Sequence, residues 1–301
     1  MSLLVVGTVA FDTIETPFGK ADMALGGSGT YISVSASYFI NDINLISIIG
    51  YDFPEKELEF LKSKGVDITG IEKIKDMKTF YWHGKYHFDM NTRDSLATDL
   101  NVLTVFNPKV PENFKKPDYL VLGNIDPTIQ RALIEQVEKP KLVMCDTMNF
   151  WIESMKPQLL ETLKLVDILL INDSEARELT GDYNLVTAAR SIMSMGPKVV
   201  VIKKGENGAL LFKDNYVFFA PAFPLEKVFD PTGAGDTFAG GFMGWIAKTN
   251  DYSVQNMRLA MIYGSAMASL VVEEFSVDNL RNLTEERIMA RFREFKSLTE
   301  F

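Results

Sequence analysis

Cysteine is nearly missing from the chain and histidine is scarce: Cys145, His83 and His87 are all there is. A single thiol excludes an intrachain disulfide and a multi-cysteine metal site, and two histidines leave too few ligands for zinc. Basic charge is also short. Lysine and arginine number 31 against 40 aspartates and glutamates, a formal net charge of −9. That balance lacks the basic footprint of a nucleic-acid or anionic-membrane surface, while leaving room for a local basic pocket. No apolar run is long enough to span a bilayer. The longest, LAMIYGSAMASLVV at 259–272, is closed by Arg258 and Glu273 and reads as a buried helix. The first basic residue is Lys20, so the opening MSLLVVGTVAF lacks the charged n-region of a secretory signal. A cytoplasmic protein with neither nucleic-acid nor membrane partners is expected. Two phosphate-binding motifs are lacking as well. The Gly-Lys pairs at 19–20 and 84–85 are followed by Ala21 and Tyr86, not by Ser or Thr, and no well-placed G-x-G-x-x-G follows a strand. Both observations weigh against P-loop and dinucleotide-binding enzymes.

What the 301 residues do have is ordinary globular composition, 47% hydrophobic and 24% charged, enough for one large domain or two modest ones. Short apolar runs (LLVVGTVAF, NLISIIG, DYLVLGNI, KLVMCD, DILLIN, KVVVIKKG) alternate with helical stretches (TYISVSASYFI, PEKELEFLKSKG, TIQRALIEQVEK, FWIESMKPQLLETLKL, DSEARELTG, LVTAARSIMSMG). Continuous apolar strands separated by helices predict an α/β fold, a mainly parallel sheet covered on both faces. In such sheets ligands lie beyond the carboxyl ends of the strands. One region breaks the alternation. MKTFYWHGKYHFDM at 77–90 has period-2 patterning and predicts an antiparallel hairpin turning near His83-Gly84, and TIETPFGKADMAL at 13–25 adds a strand or two. The expected division is an α/β core from 1–12, 26–71 and 106–301 and a small β lid from 13–25 and 72–105. An edge extension of the main sheet is the alternative to a lid.

The segment DPTGAGDTFAGGF at 230–242 puts glycines where a helix begins. A helix N-terminus presents unpaired N–H groups and partial positive charge, and small residues let an anion approach them. Thr232, Gly233, Ala234 and Gly235 supply that approach at the mouth of a helix starting near Asp236. Asp236 by itself is equally an N-cap. Gly240 and Gly241, inside the helix, read as close-packing positions. A carboxylate beside an anion hole suits phosphoryl transfer, where N–H groups stabilise the moving phosphoryl group and the carboxylate takes a hydroxyl proton.

DPTGAGDTFAGGF resembles the C-terminal signature of the ribokinase-like (PfkB) carbohydrate kinase family. Further family-like features run in order along almost the whole chain. ALGGSGTYISVSAS resembles the N-terminal Gly-Gly signature, and IIGYDFP the strand followed by Gly50-x-Asp52. LLINDSEARELTG resembles the N-x-x-E element, and VVVIKKGENGALLF the strand-turn-strand beside the nucleotide. The resemblance implies a Rossmann-like three-layer core with a β lid, and an ATP- and Mg²⁺-dependent kinase acting on a hydroxyl of a small sugar or nucleoside. A non-catalytic sugar or nucleotide sensor of the same fold is the alternative.

Site residues implied by the resemblance follow one at a time. Asp236 is the base, and Gly233, Ala234 and Gly235 form the anion hole. Asn172 and Glu175 organise Mg²⁺ through water, although the same segment also reads as a capped helix. Lys204, Gly205, Gly208 and Thr232 border the nucleotide; the two glycines by themselves are only a turn. Asp230 and Thr232 offer oxygens to a monovalent cation, or Asp230 merely holds a turn. Asp12, taken to end the first strand, binds acceptor hydroxyls, and Gly26 and Gly27 let the backbone approach the acceptor. Tyr31 departs from the asparagine that many sugar-kinase members carry. It offers a ring face and one hydroxyl, which disfavours ribose and leaves nucleosides, other sugars and polyols. The aromatic hairpin (Phe80, Tyr81, Trp82) supplies further ring contacts or a core or subunit contact. Lys85 and Arg93 read as solvated charges before phosphate contacts. A lid with an apolar face permits a homodimer.

Overall fold

The computed structural model describes residues 1–300. Its strands are β1 (Leu3–Val6), β2 (Ala10–Thr16), β3 (Gly19–Gly26), β4 (Ile43–Ile49), β5 (Val66–Lys73), β6 (Tyr81–Tyr86), β7 (Arg93–Asp99), β8 (Tyr119–Leu122), β9 (Leu142–Asp146), β10 (Ile168–Asn172), β11 (Val199–Lys203), β12 (Ala209–Lys213) and β13 (Tyr216–Ala220). Nine of them form one sheet in the order β13-β12-β11-β10-β9-β8-β1-β4-β5. From β5 to β11 every pairing is parallel; β12 and β13 add an antiparallel edge.

Side-chain alternation explains why the central strands are apolar at every position. Leu3 and Val5 point into one core with Leu45, Val121, Leu170 and Val201, packed under the helices Ala234–Thr249 and Val254–Val271. Leu4 and Val6 point into a second core with Ile46, Leu120, Val143, Ile171 and Val200, covered by helices such as Pro127–Ile134, Lys156–Leu163 and Leu185–Ser194. Both faces are dry, so both residue sets must be apolar. The result is the expected three-layer, mainly parallel α/β fold. Gly240 and Gly241 serve the close packing expected of them. A Cβ on Gly240 would lie 2.3 Å from the Ile32 carbonyl oxygen, and one on Gly241 3.0 Å from Met267 Cγ.

The remaining four strands form a sheet of their own, in the order β3-β2-β6-β7, and do not extend the main sheet. Its outer pairs are antiparallel and its central pair, β2 with β6, is parallel. The expected turn at His83-Gly84 is displaced. Strand β6 runs straight through those residues, and the chain turns at His87–Thr92, where the Asp89 carboxylate accepts the Asn91 and Thr92 N–H groups. Gly84 serves packing here: a Cβ would collide with the Trp82 ring at 1.9 Å. The segment entering β6 is pinned to the core, because Asp52 Oδ1 accepts both the N–H and the hydroxyl of Thr79 at 2.8 Å.

Two further expectations shift. FWIESMKPQLLETLKL is two helices, Asn149–Ser154 and Lys156–Leu163, because Pro157 cannot continue the first. Asp12 does not end the first strand. That strand stops at Val6, and Asp12 lies within β2 of the small sheet.

Candidate active site

The helix Ala234–Thr249 begins at Gly233, whose φ of 73° is a left-handed conformation open to glycine. No side chain caps this helix, so Asp236 in its first turn is not the N-cap. The Thr237 N–H bonds back to the Gly233 carbonyl, and the N–H groups of Gly235 and Asp236 precede it at the positive end of the helix.

Asp236 lies among charges drawn from several strand ends. Burial pushes its carboxyl up to about 7; the Asp146 charge adds to this and the Lys203 charge opposes it. Asp146 is the last residue of β9 and Lys203 the last of β11, and they form an ion pair at 2.8 Å. Neither was singled out in the sequence. The signal was present, because both stand at the carboxyl ends of parallel strands, where ligands are expected.

Asp12, Tyr31 and Asp230 form a second group of buried side chains that feel the Asp236 charge or one another's. Burial first, then the charges of Asp230 and Asp236, raise the Asp12 carboxyl to about 8. Asp12 Oδ2 sits 2.0 Å from where a Gly26 Cβ would be, and Gly27 makes the same allowance for the Thr8 carbonyl at 2.4 Å. These two glycines therefore make room for the protein's own atoms, whatever else approaches them. Tyr31 is not the open ring face expected of it. It is 1% exposed, and its ring fills the space a Gly233 Cβ would need, 2.4 Å away. Its hydroxyl makes no hydrogen bond of normal geometry among the described residues, and the Ser276 side chain is the polar group it interacts with. Burial, then Asp230, Asp12 and Asp236, hold that hydroxyl well above the usual tyrosine pKa. Asp230 accepts the Thr232 N–H on Oδ1 (2.8 Å) and the Ser276 N–H on Oδ2 (2.9 Å), which ties the glycine loop before the helix to the 276 turn.

Glu175 and Asn172 form a reciprocal capping box on the helix Asp173–Thr180. Glu175 Oε2 accepts the Asn172 N–H at 2.9 Å, and Asn172 Oδ1 accepts the Glu175 N–H at 2.8 Å. Burial, only partly offset by Lys203, raises the Glu175 carboxyl to about 7. Lys204 points elsewhere, with its Nζ over the Phe219 ring. Gly205 and Gly208 flank a single turn between β11 and β12, and both have positive φ.

The small sheet touches this region at two points. Thr232 donates its hydroxyl to Tyr86 Oη at 3.2 Å, and Asn91 at the hairpin tip reaches Glu206. Trp82 is in register with Asp12 and shares the inner face of β6 with Tyr86. Its indole N–H donates to Ser95 Oγ. Arg93 stands over the Trp82 ring, and its charge is felt at Glu175.

The model of the pfkB family carbohydrate kinases matches residues 3–283. The chain belongs to the PfkB family. It is therefore a phosphotransferase of the ribokinase-like class, to which sugar and nucleoside kinases belong. A cytidine kinase of Thermococcus kodakarensis is 31% identical over 248 residues, covering 81% of this chain and 87% of that protein. A nucleoside kinase of Methanothermobacter thermautotrophicus is 26% identical, covering 90% and 89%. Among solved structures, the Methanocaldococcus jannaschii nucleoside kinase superposes with a TM-score of 0.78 at 20% identity over 98% of this chain and 99% of that one. A putative ribokinase II of E. coli, solved in complex with ATP and Mg²⁺, also reaches 0.78, at 19% identity over 99% of both chains. These likenesses show the ribokinase-like fold, and membership of the PfkB family implies ATP and Mg²⁺. No helix among the described residues is long and apolar enough to cross a membrane.

Proposed function

We propose that this PfkB kinase transfers the terminal phosphoryl group of ATP to a hydroxyl of a nucleoside, with Asp236 as the base. The observation that carries the reading is a carboxyl held near neutrality at the mouth of a glycine-lined helix N-terminus. A base with a pKa near the working pH combines the right protonation state with adequate driving force. The Gly235 and Asp236 N–H groups and the helix end stabilise charge on the phosphoryl oxygens. Asp12 orients the acceptor diol, and the buried Tyr31 ring backs the loop beside it. The nucleoside is preferred over a free sugar for two reasons. Relatives include a cytidine kinase and nucleoside kinases, and the anchored Trp82 indole on the lid's inner face offers a ring to a base.

The donor set suits a hydrated Mg²⁺. Among the described residues no three His, Cys, Asp or Glu side chains cluster into a direct cage, and Mg²⁺ keeps several waters and needs few protein oxygens. Glu175, with Oε2 committed to the cap, is the residue to hold such an ion's water through Oε1; Asn172 Oδ1 already accepts from Glu175 and Ser174. Bound Mg²⁺ supplies charge neutralisation on the phosphates. A monovalent cation at Asp230 and Thr232 fits less well, since both Asp230 oxygens already accept backbone N–H groups. Lys204, Gly205 and Gly208 are kept as the rim of the nucleotide site. A homodimer through the lid is consistent with exposed Phe18, Met23 and Leu96 on its strands and turns; the molar mass in solution by light scattering checks it.

An acceptor screen at fixed ATP and Mg²⁺ tests the reading. Cytidine and other nucleosides should exceed ribose, hexoses and polyols in kcat/KM. A site that hydrogen-bonds one polar substrate rejects those that leave its groups unpaired. Ribose as the best acceptor by tenfold or more would overturn the nucleoside assignment.

A further inference from the structure

Strands β9, β10 and β11 lie side by side and end in Asp146, Asn172 and Lys203. Lys203 is thus one of three polar residues at adjoining strand ends. Its ammonium pairs with Asp146 Oδ2 at 2.8 Å and lies 3.0 Å from where a Cβ on Gly235 would stand. It rests against Gly235, the last residue of the anion loop, and Asp236 and Glu175 both feel its charge. Its side chain is only 20% exposed and that of Asp146 only 7%. A buried ion pair is a weak source of stability compared with well-packed apolar residues. Here it sits at the mouth of a site built for an anion, where a second use is available. Burial works against the charge, but Asp146 and Glu175 outweigh it and keep Lys203 above the usual lysine value. The ammonium stays charged at any pH at which a kinase works.

We propose that Lys203 is the cationic contact of the transferring phosphoryl group, and that Asp146 holds its ammonium at the Gly235 loop, to be shared with ATP when it binds. This rests on the kinase reading above. In the transfer, the acceptor oxygen bonds to phosphorus as the bond to the β-phosphate oxygen breaks. The hydroxyl proton passes to Asp236 and ADP leaves; Lys203 makes and breaks no covalent bond. Its charge balances the phosphoryl oxygens opposite the N–H groups of the helix. A lysine is a compact point charge suited to that task.

The test compares the parent with Lys203→Met and with the double variant Lys203→Met/Asp146→Asn, which also removes the carboxylate that Lys203 pairs with and so keeps the fold testable. Steady-state kinetics are read beside calorimetric binding of ADP and of the non-hydrolysable analogue AMP-PNP, each with Mg²⁺. Both variants should lose about 10²-fold or more in kcat, the scale of removing one electrostatic contact from a transition state, with the acceptor KM within about threefold. AMP-PNP should bind at least about tenfold more weakly and ADP nearly as before, because only the former carries the terminal phosphoryl group. A double variant with parental kcat and AMP-PNP affinity would mean that Lys203 only neutralises Asp146; the proposal falls and the kinase reading stands. A loss that weakens AMP-PNP and ADP alike also overturns it. A parent that neither binds these nucleotides nor phosphorylates any nucleoside sinks both.

Discussion

Replacing Asp236 with asparagine separates two demands made on one carboxyl. The shape survives, while the charge and the proton acceptor are lost. In the folded protein the Asp236 carboxyl is raised from 3.8 to about 7, chiefly by burial and then by Asp146. The folded state therefore keeps a proton that the unfolded chain has released. Between about pH 4 and pH 7 the native state binds more protons, so its stability falls as pH rises, and the loss levels off above pH 7. A difference of about three pH units, at about 1.4 kcal/mol each, gives roughly 4 kcal/mol. Asp236 keeps some surface access, so that figure is an upper bound. Asparagine carries no such penalty. In thermal melts without nucleotide, Asp236→Asn should match the parent near pH 4 and rise above it towards pH 8. About 2 °C per kcal/mol for a chain of this size makes the final gain up to ~8 °C. Activity should move the other way. A positioned base is worth about 10²–10⁴ in kcat, while AMP-PNP affinity should stay within about threefold. The same variant is then more stable and nearly inactive, as expected where a site holds a strained charge. Activity within threefold of the parent would remove Asp236 as the base. A melting temperature equal to the parent's at pH 8 would mean that the carboxyl is not raised, and the reasoning from burial would fail.

Three further outcomes follow from the same geometry. Gly233→Ala should lose both stability and activity, because a Cβ there needs a positive φ and lies 2.4 Å from the buried Tyr31 ring. The backbone strain alone is about 1–2 kcal/mol, so a melting temperature unchanged within a degree would refute the packing argument. Glu175→Gln should raise the Mg²⁺ concentration for half-maximal rate with little change in melting temperature, since glutamine also completes a capping box; a several-degree drop with unchanged Mg²⁺ dependence would leave only the cap. Asp12→Asn should raise the acceptor KM more than it lowers kcat, read from acceptor titrations at saturating ATP, and an unaltered KM would place Asp12 outside the acceptor site.

Much of this protein is legible in its sequence. The parallel core could be read because strands buried on both faces must be apolar at every position, as Leu3–Val6 and Tyr119–Leu122 are. The glycine-led start of the helix Ala234–Thr249 was legible because glycines concentrated before a helical run mark its N-terminus, and Gly233 does stand there as the N-cap. The His83-Gly84 turn was misread for a local reason. A glycine in a period-2 run signals a turn, yet here it makes room for the Trp82 indole on the same strand, and no local pattern distinguishes the two. The open-ring reading of Tyr31 failed because its neighbour across the site, Gly233, is some two hundred residues away in the chain.

The sequence by itself determined the alternation of elements, their two-faced burial and the glycine-led helix start, since each depends on residues close together in the chain. Tertiary structure alone decided which charges meet. Asp146, Lys203, Glu175 and Asp236 come from four elements and converge only because parallel strands deliver their carboxyl ends to one edge. The raised carboxyl pKa values belong to that convergence. They are set by the water excluded and the charges gathered in space, and neither quantity is a property of any short stretch of sequence.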